Sequence, residues 1–436
     1  MNRRDFVTTM GVSMAGAAAA QSAIADDNAL RSADWSSVRA QFNLAPGLLH
    51  FSQFFLVSHP RPVRDAVERY RRLLDANPVA TVEHGLGLQA YFDNKVHDEP
   101  LPFRVQRAAA DYIGGQPGEI ALTDSTTQGL ALIYNGLTLR PGDEILATTH
   151  DHYSHHEAIR YAAERSNVVT KRISLYDEAA QASADEMRER LRRAIGPRTR
   201  IVGLTWVHSS TGVKLPVRLL ADVIASANRG RAEQDRVLLV LDAVHGLGNQ
   251  AESIAQLGCD FVAAGTHKWI FAPRGTGLIW APAKNWALLR PTIPSFSSGD
   301  LLQAWMGGKA PRMATQASWI SPGGFKAYEH QWAMTEAFEF HRNIGIKRIA
   351  DRIATLTASC MEGLAKIPKV TVVTPRNPAL SAGIVSFIVQ GQSADETVQK
   401  LLAHKVVASS SPYKVSYARL GPSLVNDESE VEAALR

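Results

Sequence analysis

A lysine at the end of an apolar run is the residue with the clearest chemical use in this chain. Lys268 follows the run Phe261–Gly265, whose length is typical of a buried strand, and a Pro/Gly-rich turn comes after it. Burial lowers the pKa of an amine because the charged form loses its hydration, and a neutral amine condenses with aldehydes. The alternative is that Lys268 ends the strand and points at water. This stretch alone favours neither interpretation.

A carboxylate at the end of the preceding strand pattern favours the chemical interpretation. The apolar stretch Arg236–Leu241 ends at Asp242, 26 residues before Lys268, which leaves room for a crossover to a nearby parallel strand. A lysine and an acid at the same edge of a sheet suit pyridoxal phosphate (PLP). The lysine forms a Schiff base with it, and the acid keeps its pyridinium nitrogen protonated so that the ring accepts electrons.

These two residues belong to motifs that resemble a known family. Asp242-Ala-Val-His245, Gly265-Thr-His-Lys-Trp269 and Pro273-Arg-Gly-Thr-Gly277 resemble the class V aminotransferases, a family of fold-type I PLP enzymes, and within it the isopenicillin N epimerase-like branch. The resemblance runs from about residue 45 to the C-terminus. It implies an α/β fold with a mostly parallel seven-stranded sheet in a large domain and a smaller α+β C-terminal domain. It also implies PLP as the cofactor and a homodimer with shared active sites.

Hydroxyl groups at a predicted strand-to-helix junction form a candidate phosphate site. Ser125, Thr126 and Thr127 lie where free backbone N–H groups and the helix dipole favour an anion. Ordinary N-capping by Ser125 or Thr126 is the alternative. The resemblance to the phosphate turn of the family implies that Thr126 and Thr127 are ligands.

Further phosphate contacts are implied by the resemblance. The family often has a serine three residues before the lysine, where this chain has Gly265, so contact from that side is expected from Thr266 and His267. Gly323 and Gly324 resemble the turn through which a neighbouring subunit reaches the phosphate. The same glycines would also suit a simple turn before a helix.

Four histidines between residues 148 and 156 could be interpreted as a metal site. No set of carboxylates or cysteines completes a zinc shell around these histidines, so we expect no metal. In the family this segment supplies an aromatic ring that stacks on the cofactor. His152 and Tyr153 are both candidates for that ring.

The resemblance assigns three more side chains. Ser209 and His245 match positions that address the phenolate oxygen of the cofactor, although many relatives have asparagine in place of Ser209. Arg419 matches the substrate arginine, just before the Asn426–Glu430 segment, and is expected at the end of a strand. Arginine binds a carboxylate through two parallel hydrogen bonds. Without the resemblance, Arg419 would be interpreted as a surface residue.

The N-terminus has the features of a twin-arginine signal peptide. Arg3 and Arg4 precede an Ala/Gly-rich apolar run that ends at Ala20, and Ala23-Ile-Ala25 has small residues at the cleavage spacing. A basic amphipathic N-terminus on a cytosolic protein is the alternative. The signal predicts that the twin-arginine translocase exports the folded protein to the periplasm and that the mature chain begins near Asp26.

Alternating patterns after residue 60 predict an α/β domain. Residues 72–100 are expected to be irregular. Helices are predicted at 103–114, 126–138, 152–165, 183–194 and 215–228, and strands at 119–123, 143–147, 168–173, 200–206 and 236–242. A C-terminal domain is predicted with a helix from 326 to 342, a helix near 347–365, strands near 369–374 and 382–389, and a helix at 393–403. We expect a signal peptide at 1–25, an arm at 26–59 that joins the small domain, a large PLP-binding domain at 60–310 and a small domain at 311–436.

The charge composition of the chain gives no sign of nucleic-acid binding. The chain has 47 basic and 42 acidic residues, and this small net charge of +5 is spread out and gives no reason to expect nucleic acid.

Cysteine desulfurases of the family carry a cysteine on a loop of the C-terminal domain, whereas Cys360 lies in a predicted helix and Cys259 precedes a predicted strand. Desulfuration is therefore not expected.

The resemblance and the signal together predict a periplasmic PLP enzyme that acts at Cα of an amino acid or of an amino-acid side chain in a peptide metabolite. Exported PLP enzymes that tailor pyoverdine combine the same signal and fold. A transaminase or epimerase type is expected. The alternatives are a PLP-dependent lyase or an oxidative decarboxylase that tailors a siderophore-like peptide. A non-catalytic binding protein would not need Lys268, Asp242 and Arg419 together.

Overall fold

The computed structural model describes Leu30 and residues 34–88, 98–296 and 298–436, so the predicted signal peptide lies outside the described residues. The helices are α1 Trp35–Arg39, α2 Arg61–Ala76, α3 Pro78–Gly85, α4 Leu101–Ile113, α5 Thr126–Gly136, α6 Tyr153–Ser166, α7 Ala184–Ala194, α8 Val217–Ala227, α9 Gly299–Met306, α10 Ala317–Ile320, α11 Tyr328–Trp332, α12 Met334–Ile344, α13 Ile346–Leu364, α14 Ala394–Ala403 and α15 Glu428–Leu435. The strands are β1 Leu49–His50, β2 Ile120–Thr123, β3 Glu144–Thr148, β4 Val169–Ile173, β5 Thr199–Thr205, β6 Leu238–Asp242, β7 Phe261–Gly265, β8 Gly277–Trp280, β9 Val370–Val372, β10 Val385–Val389, β11 Val406–Val407, β12 Ser409–Ser410 and β13 Ala418–Leu420.

A seven-stranded sheet forms the centre of the large domain, in the order β2-β8-β7-β6-β5-β3-β4. All its pairings are parallel except those of β8, which runs antiparallel to β2 and β7. The predicted mostly parallel seven-stranded sheet is confirmed. In the register, Asp242 lies between Thr205 of β5 and Ala263 of β7. The carboxyl ends of β5, β6 and β7 therefore meet at one edge.

Helices cover both faces of this sheet. Val240 and Phe261 pack in the cluster that includes α5 and α6, whereas Leu241 and Val262 face the opposite cluster, which includes α4 and α8. Neighbouring residues of a strand point to opposite faces, and here both faces are apolar. Fully burying an aliphatic side chain contributes about 1.5–3 kcal/mol, so this double packing holds the strand ends rigidly in place.

The small domain contains an antiparallel sheet in the order β12-β13-β10-β9. The N-terminal segment contributes β1, which pairs in parallel with β11 in a separate two-stranded sheet. Arg419 is the central residue of β13, between Ser386 of β10 and Ser409 of β12, and not at the strand end where the sequence predicted it. In the described part of the chain, no helix is both long and apolar enough to cross a membrane. The predicted domain boundaries stay a prediction.

Two predicted segments differ from the structure. Residues 72–100 were expected to be irregular, but α2 continues to Ala76 and α3 follows it. Asn77 causes this, because its side chain accepts a hydrogen bond from the amide of Ala80 at 3.2 Å, and Pro78 suits the first helical position. Residues 89–97 of this segment lie outside the described part. The helix predicted from 326 to 342 is two helices, α11 and α12, which are separated at Ala333.

Candidate active site

The turn that carries Lys268 is fixed by hydrogen bonds to the following strand. The amide of Thr266 donates to the carbonyl of Thr276 at 3.1 Å, and the two threonine hydroxyls are 2.6 Å apart. The amide of Phe271 donates to the carbonyl of Lys268 at 2.9 Å. The backbone of Lys268 is thereby held three residues beyond the end of β7, the strand that pairs with β6 and its terminal Asp242.

The amine of Lys268 is half-buried and lies beside His245. Its Nζ atom is 3.3 Å from Nε2 of His245, and the indole of Trp269 donates to Nδ1 of that histidine at 3.2 Å. Because Nδ1 is an acceptor, the imidazole proton belongs on Nε2, where it faces the amine. Burial lowers the pKa of Lys268 to about 8, with Arg419 acting in the same direction and Asp242 opposing. Burial also lowers the pKa of His245 well below its usual value, so the imidazole stays neutral.

Asp242 is a buried carboxyl that fits a cationic ligand. Its Oδ1 atom accepts from the amide of Val244 at 3.0 Å, and it has no ion pair among the described residues. Burial raises its pKa, while charges on His155 and Lys268 lower it. A buried carboxylate is costly unless a positive group meets it. A protonated pyridinium nitrogen would supply that charge.

A second set of buried polar side chains, which the sequence analysis did not predict, lies beside Asp242. The hydroxyl of Thr205 donates to Asp151 at 2.7 Å, and His155 lies 2.7 Å from the hydroxyl of Tyr134. Thr205 is also the neighbour of Asp242 in the sheet. The position of Asp151 just after β3 was a signal in the sequence, because it is another acid that follows a buried strand.

The three residues of the candidate phosphate turn have different surroundings. Ser125 caps α5, and its hydroxyl accepts from the amide of Gln128 at 3.1 Å. The hydroxyl of Thr126 accepts from the amide of Gly265 at 2.7 Å, which joins the start of α5 to the end of β7. That bond uses an oxygen lone pair, so its hydrogen stays available to an anion. Thr127 is exposed on the first turn.

Packing explains why this chain has glycine three residues before Lys268. A Cβ atom on Gly265 would lie 2.7 Å from Cε1 of His267 and 3.2 Å from the hydroxyl of Thr126. His267 is held in that place by its Nδ1 atom, which donates to the carbonyl of Thr276 at 3.2 Å. The imidazole of His267 thus fills the space that a side chain at position 265 would need. The hydroxyl of Thr266 is paired with Thr276 and is fully buried.

Gly323 and Gly324 pack against the 294–296 segment of the same chain. The amide of Gly323 donates to the carbonyl of Pro294 at 2.8 Å, and a Cβ atom there would lie 2.6 Å from the ring of Phe296. Gly324 has φ +100°, which only glycine adopts readily. The structure packs both glycines on the 294–296 segment, and none of the described contacts joins them to Lys268 or Thr126.

Of the two candidate stacking rings, the structure brings His152 to the site. His152 caps α6, and burial together with the charges of Lys268 and Arg419 lowers its pKa. Tyr153 is 69% exposed. Nearby, His150 stacks on Tyr176 with ring centroids 3.9 Å apart.

The remaining histidines of the 148–156 segment, His155 and His156, bond to other groups of the protein. His155 bonds Tyr134, and His156 donates to the carbonyl of Thr148 at 2.8 Å. Within the described ranges, no three His, Cys, Asp or Glu side chains form a cluster that could hold a metal ion.

Arg419 reaches the site from the small domain and is held by carbonyl groups. Its two terminal nitrogens donate to the carbonyl of Ser209 at 2.7 Å and to that of Ser410 at 2.8 Å, and its guanidinium lies over the ring of Phe54. Its buried Nε atom has no partner in the described structure. Burial lowers its pKa to about 10. Arg419 has no acidic partner among the described residues, and such a buried cation suits a carboxylate ligand.

Sequence reasoning missed a tyrosine at this site. The hydroxyl of Tyr413 is 2.7 Å from that of Ser209, and its ring meets the ring of His152 edge-on, with centroids 6.1 Å apart. Its only signal in the sequence was its place on the segment that leads into Arg419.

The sequence of the chain is similar to the family model of Aminotransferase class-V over residues 60–420. Isopenicillin N epimerase from Amycolatopsis lactamdurans is 26% identical over 362 residues, which is 81% of this chain and 84% of that protein. A probable cysteine desulfurase from Pyrococcus abyssi is 23% identical over 378 residues, 86% of each chain.

Solved structures share the fold. A mutant of C-DES with glycine covalently linked to its PLP cofactor superposes with a TM-score of 0.78 at 21% identity, over 91% of this chain and 97% of that chain. The cysteine desulfurase of Thermococcus onnurineus has a TM-score of 0.73 at 19% identity, over 92% and 96% of the two chains.

Proposed function

Because the chain belongs to the aminotransferase class V family, we propose that it acts at Cα of an amino acid, or of an amino-acid side chain in a peptide metabolite. Its cofactor is PLP, as in the solved relatives. One observation carries the proposal: the half-buried amine of Lys268, whose pKa burial lowers to about 8, follows the strand next to that of the buried acid Asp242 and lies close enough to Arg419 for the two charges to interact. These residues fit PLP and a carboxylate substrate.

Each side chain then has a role in the pocket. PLP, when bound, withdraws electrons from Cα of an attached amine. Asp242 would hold a proton on the ring nitrogen, and Thr126 with the N-terminus of α5 would bind the phosphate. His152 would pack against the ring, and Arg419 would orient the substrate carboxylate. The neutral amine of Lys268 would take up and return the Cα proton.

We propose a transaminase or epimerase type of reaction and not desulfuration. Both cysteines are buried, and burial raises the pKa of the Cys360 thiol to about 12 and that of Cys259 still higher. A sulfur-accepting cysteine needs an accessible thiolate. The loop that leads into β13 has Tyr413 and no cysteine.

Solvent deuterium exchange tests the proposed reaction. The protein is incubated in D₂O with a panel of amino acids and glutamyl peptides. Deuterium at Cα with no keto product indicates epimerisation, and a keto acid with a spectral shift to the pyridoxamine form indicates transamination. Loss of CO₂ or of a β-substituent would indicate the decarboxylase or lyase alternatives. A protein that takes up PLP yet exchanges no Cα proton from any compound would contradict the proposal.

Replacing Arg419 with lysine is expected to weaken binding of the substrate carboxylate. Lysine keeps a charge but loses the planar pair of donors. Hydrogen bonds to charged groups contribute about 1.5–3 kcal/mol, so KM should rise about 10- to 150-fold with the PLP band unchanged. Steady-state kinetics with a substrate and its carboxamide measure this. An equal effect of Arg419→Lys on both compounds would show that Arg419 does not bind the carboxylate.

The proposed site of action is the periplasm. Arg3 and Arg4 before an Ala/Gly-rich run support export of the folded, cofactor-loaded protein by the twin-arginine translocase. Cell fractionation tests this: the double variant R3K/R4K should stay in the cytoplasm. A variant that is exported like the wild type would contradict the assignment.

We propose a homodimer in which a second copy covers an apolar groove. This groove, of about 1200 Å³, lies between α3, the 291–296 segment and α9, and its lining includes Phe325, next to Gly323 and Gly324. Its side chains include Trp305, 76% exposed, and Phe325, 82% exposed. Exposed apolar surface of this kind marks interaction sites.

Trp305→Glu is expected to shift the protein from dimer to monomer, because a carboxylate there would be buried by the second copy. Sedimentation velocity measures the change, and Leu402→Glu, on an exposed apolar residue of α14, is the matched control. A monomeric wild type, or a dimeric Trp305→Glu, would reject this interface.

A further inference from the structure

Tyr413 contacts Ser209 and His152 from the loop between β12 and β13. Lys268 and His245 come from the large sheet, whereas Tyr413 belongs to the loop 411–417 of the small domain, between β12 and β13. Its hydroxyl meets the side chain of Ser209, and Arg419 meets the carbonyl of that same residue. The phenol and the guanidinium that would bind the substrate carboxylate therefore converge on one turn.

The loop holds the phenol in place. The hydroxyl of Ser411 accepts from the amide of Tyr417 at 2.9 Å, and its carbonyl accepts from the amide of Tyr413 at 2.9 Å and from the hydroxyl of Ser416 at 2.7 Å. The ring also packs edge-on against His152. A side chain fixed on both sides in this way is preorganised for chemistry.

We propose that Tyr413 is a second acid–base residue, whose hydroxyl exchanges a proton with Cα of the substrate from the small-domain side while Lys268 does so from the sheet. This inference rests on the proposed action at Cα and selects its epimerase form. Inversion at carbon needs a proton to leave one face and another to arrive on the opposite face, and two residues from facing domains satisfy that requirement.

Protons and electron pairs are conserved in the proposed transfers. The neutral amine of Lys268 takes the Cα proton, so a C–H bond breaks and an N–H bond forms. Tyr413 then gives its proton, so its O–H bond breaks and a new C–H bond forms from the electron pair that the first bond left. The ammonium of Lys268 returns a proton through water to the phenolate of Tyr413. No oxidant or reductant is consumed.

The electrostatic surroundings agree with this role. Burial raises the pKa of Tyr413 to about 12, so the hydroxyl carries its proton at neutral pH. The hydrogen bond with Ser209 and the charge of Arg419 act in the opposite direction and stabilise the ionised form that a transfer leaves behind.

The first test follows the stereochemistry of exchange in D₂O. Tyr413→Phe keeps the ring and should keep the visible PLP band and Cα exchange with retention, while inversion falls about 10²-fold or more. Tyr417→Phe, which removes the same group from the same loop, is the control and should invert at the wild-type rate. Inversion by Tyr413→Phe within a few-fold of wild type, or exchange without inversion in the wild type, would overturn the proposal. A wild type without a PLP band would instead reject Lys268.

A second measurement requires no turnover. The protein labelled with [¹³Cζ]tyrosine gives a Tyr413 resonance, identified by its loss in Tyr413→Phe. Adding PLP to the apo protein should shift that resonance and leave Tyr417 in place, and Ser209→Ala should shift it also. A Tyr413 resonance that PLP leaves unmoved would place the phenol outside the pocket and overturn the proposal.

Discussion

Replacing Lys268 with alanine is expected to abolish Cα chemistry while leaving the fold intact. In the proposed mechanism this residue forms the covalent link to the cofactor and also moves the Cα proton. General acid–base catalysis alone contributes about 10²- to 10⁴-fold, so exchange should fall by at least about 10³-fold. Lys268 has no carboxylate within ion-pair distance among the described residues, so its removal breaks no ion pair. Thermal unfolding should show a Tm at or above that of the wild type.

Two comparisons separate this effect from a general loss of structure. Lys284→Ala, on an exposed lysine that follows β8, should exchange Cα protons at the wild-type rate. Lys268→Ala supplied with methylamine should recover part of its exchange, because a small amine fits the space that the side chain leaves. A Lys268→Ala protein with more than about one tenth of wild-type exchange would contradict the assigned role.

Asp242→Asn is expected to give the second largest loss. Asparagine has the same shape, and because burial raises the pKa of Asp242 the site tolerates a neutral group, so the protein should fold. The amide cannot hold a proton on the ring nitrogen of PLP. Removing one preorganised electrostatic contact costs about 10²- to 10³-fold, so Cα exchange per bound PLP should fall by that factor.

A second buried acid provides the control for this variant. Asp260 pairs with Arg236 and accepts from the amide of Leu239 at 2.9 Å, so it supports structure and lies at the opposite end of the sheet from Lys268. Asp260→Asn should lower Tm and leave exchange per bound PLP unchanged. If Asp242→Asn behaved in the same way, Asp242 would be a structural acid.

The sequence was sufficient to predict the sheet edge at which the strands before Asp242 and Lys268 end. Apolar runs that end at Asp242 and Lys268 specify two buried parallel strands, and parallel strands place their ends together. The alternation of helix and strand up to β6 followed from the same periodicity. Asn77 and Pro78 are a helix start signal in the segment that we expected to be irregular. The helix α3 could therefore have been predicted from the sequence.

Contacts between segments that are far apart in the sequence could not be predicted from its periodicity. Tyr413 and Ser209 are 204 residues apart, and their meeting depends on how the small domain packs on the large one. The hydroxyl of Thr126 was expected to bind phosphate, yet its bond to the amide of Gly265 depends on the spacing of α5 and β7. The replacement of the family serine by Gly265 became understandable only when His267 was found in that space.

The visible absorbance of the protein after addition of PLP tests the central claim about Lys268 most directly. The apo wild type should develop a visible band. Because the pKa of Lys268 is lowered to about 8, the neutral amine becomes tenfold scarcer for each pH unit below that value. The rate of band formation should therefore rise with pH up to about 8 and then level off, and Lys268→Ala should give no such band. A wild type that stays colourless with added PLP, or a Lys268→Ala protein that forms the same band, would contradict the account.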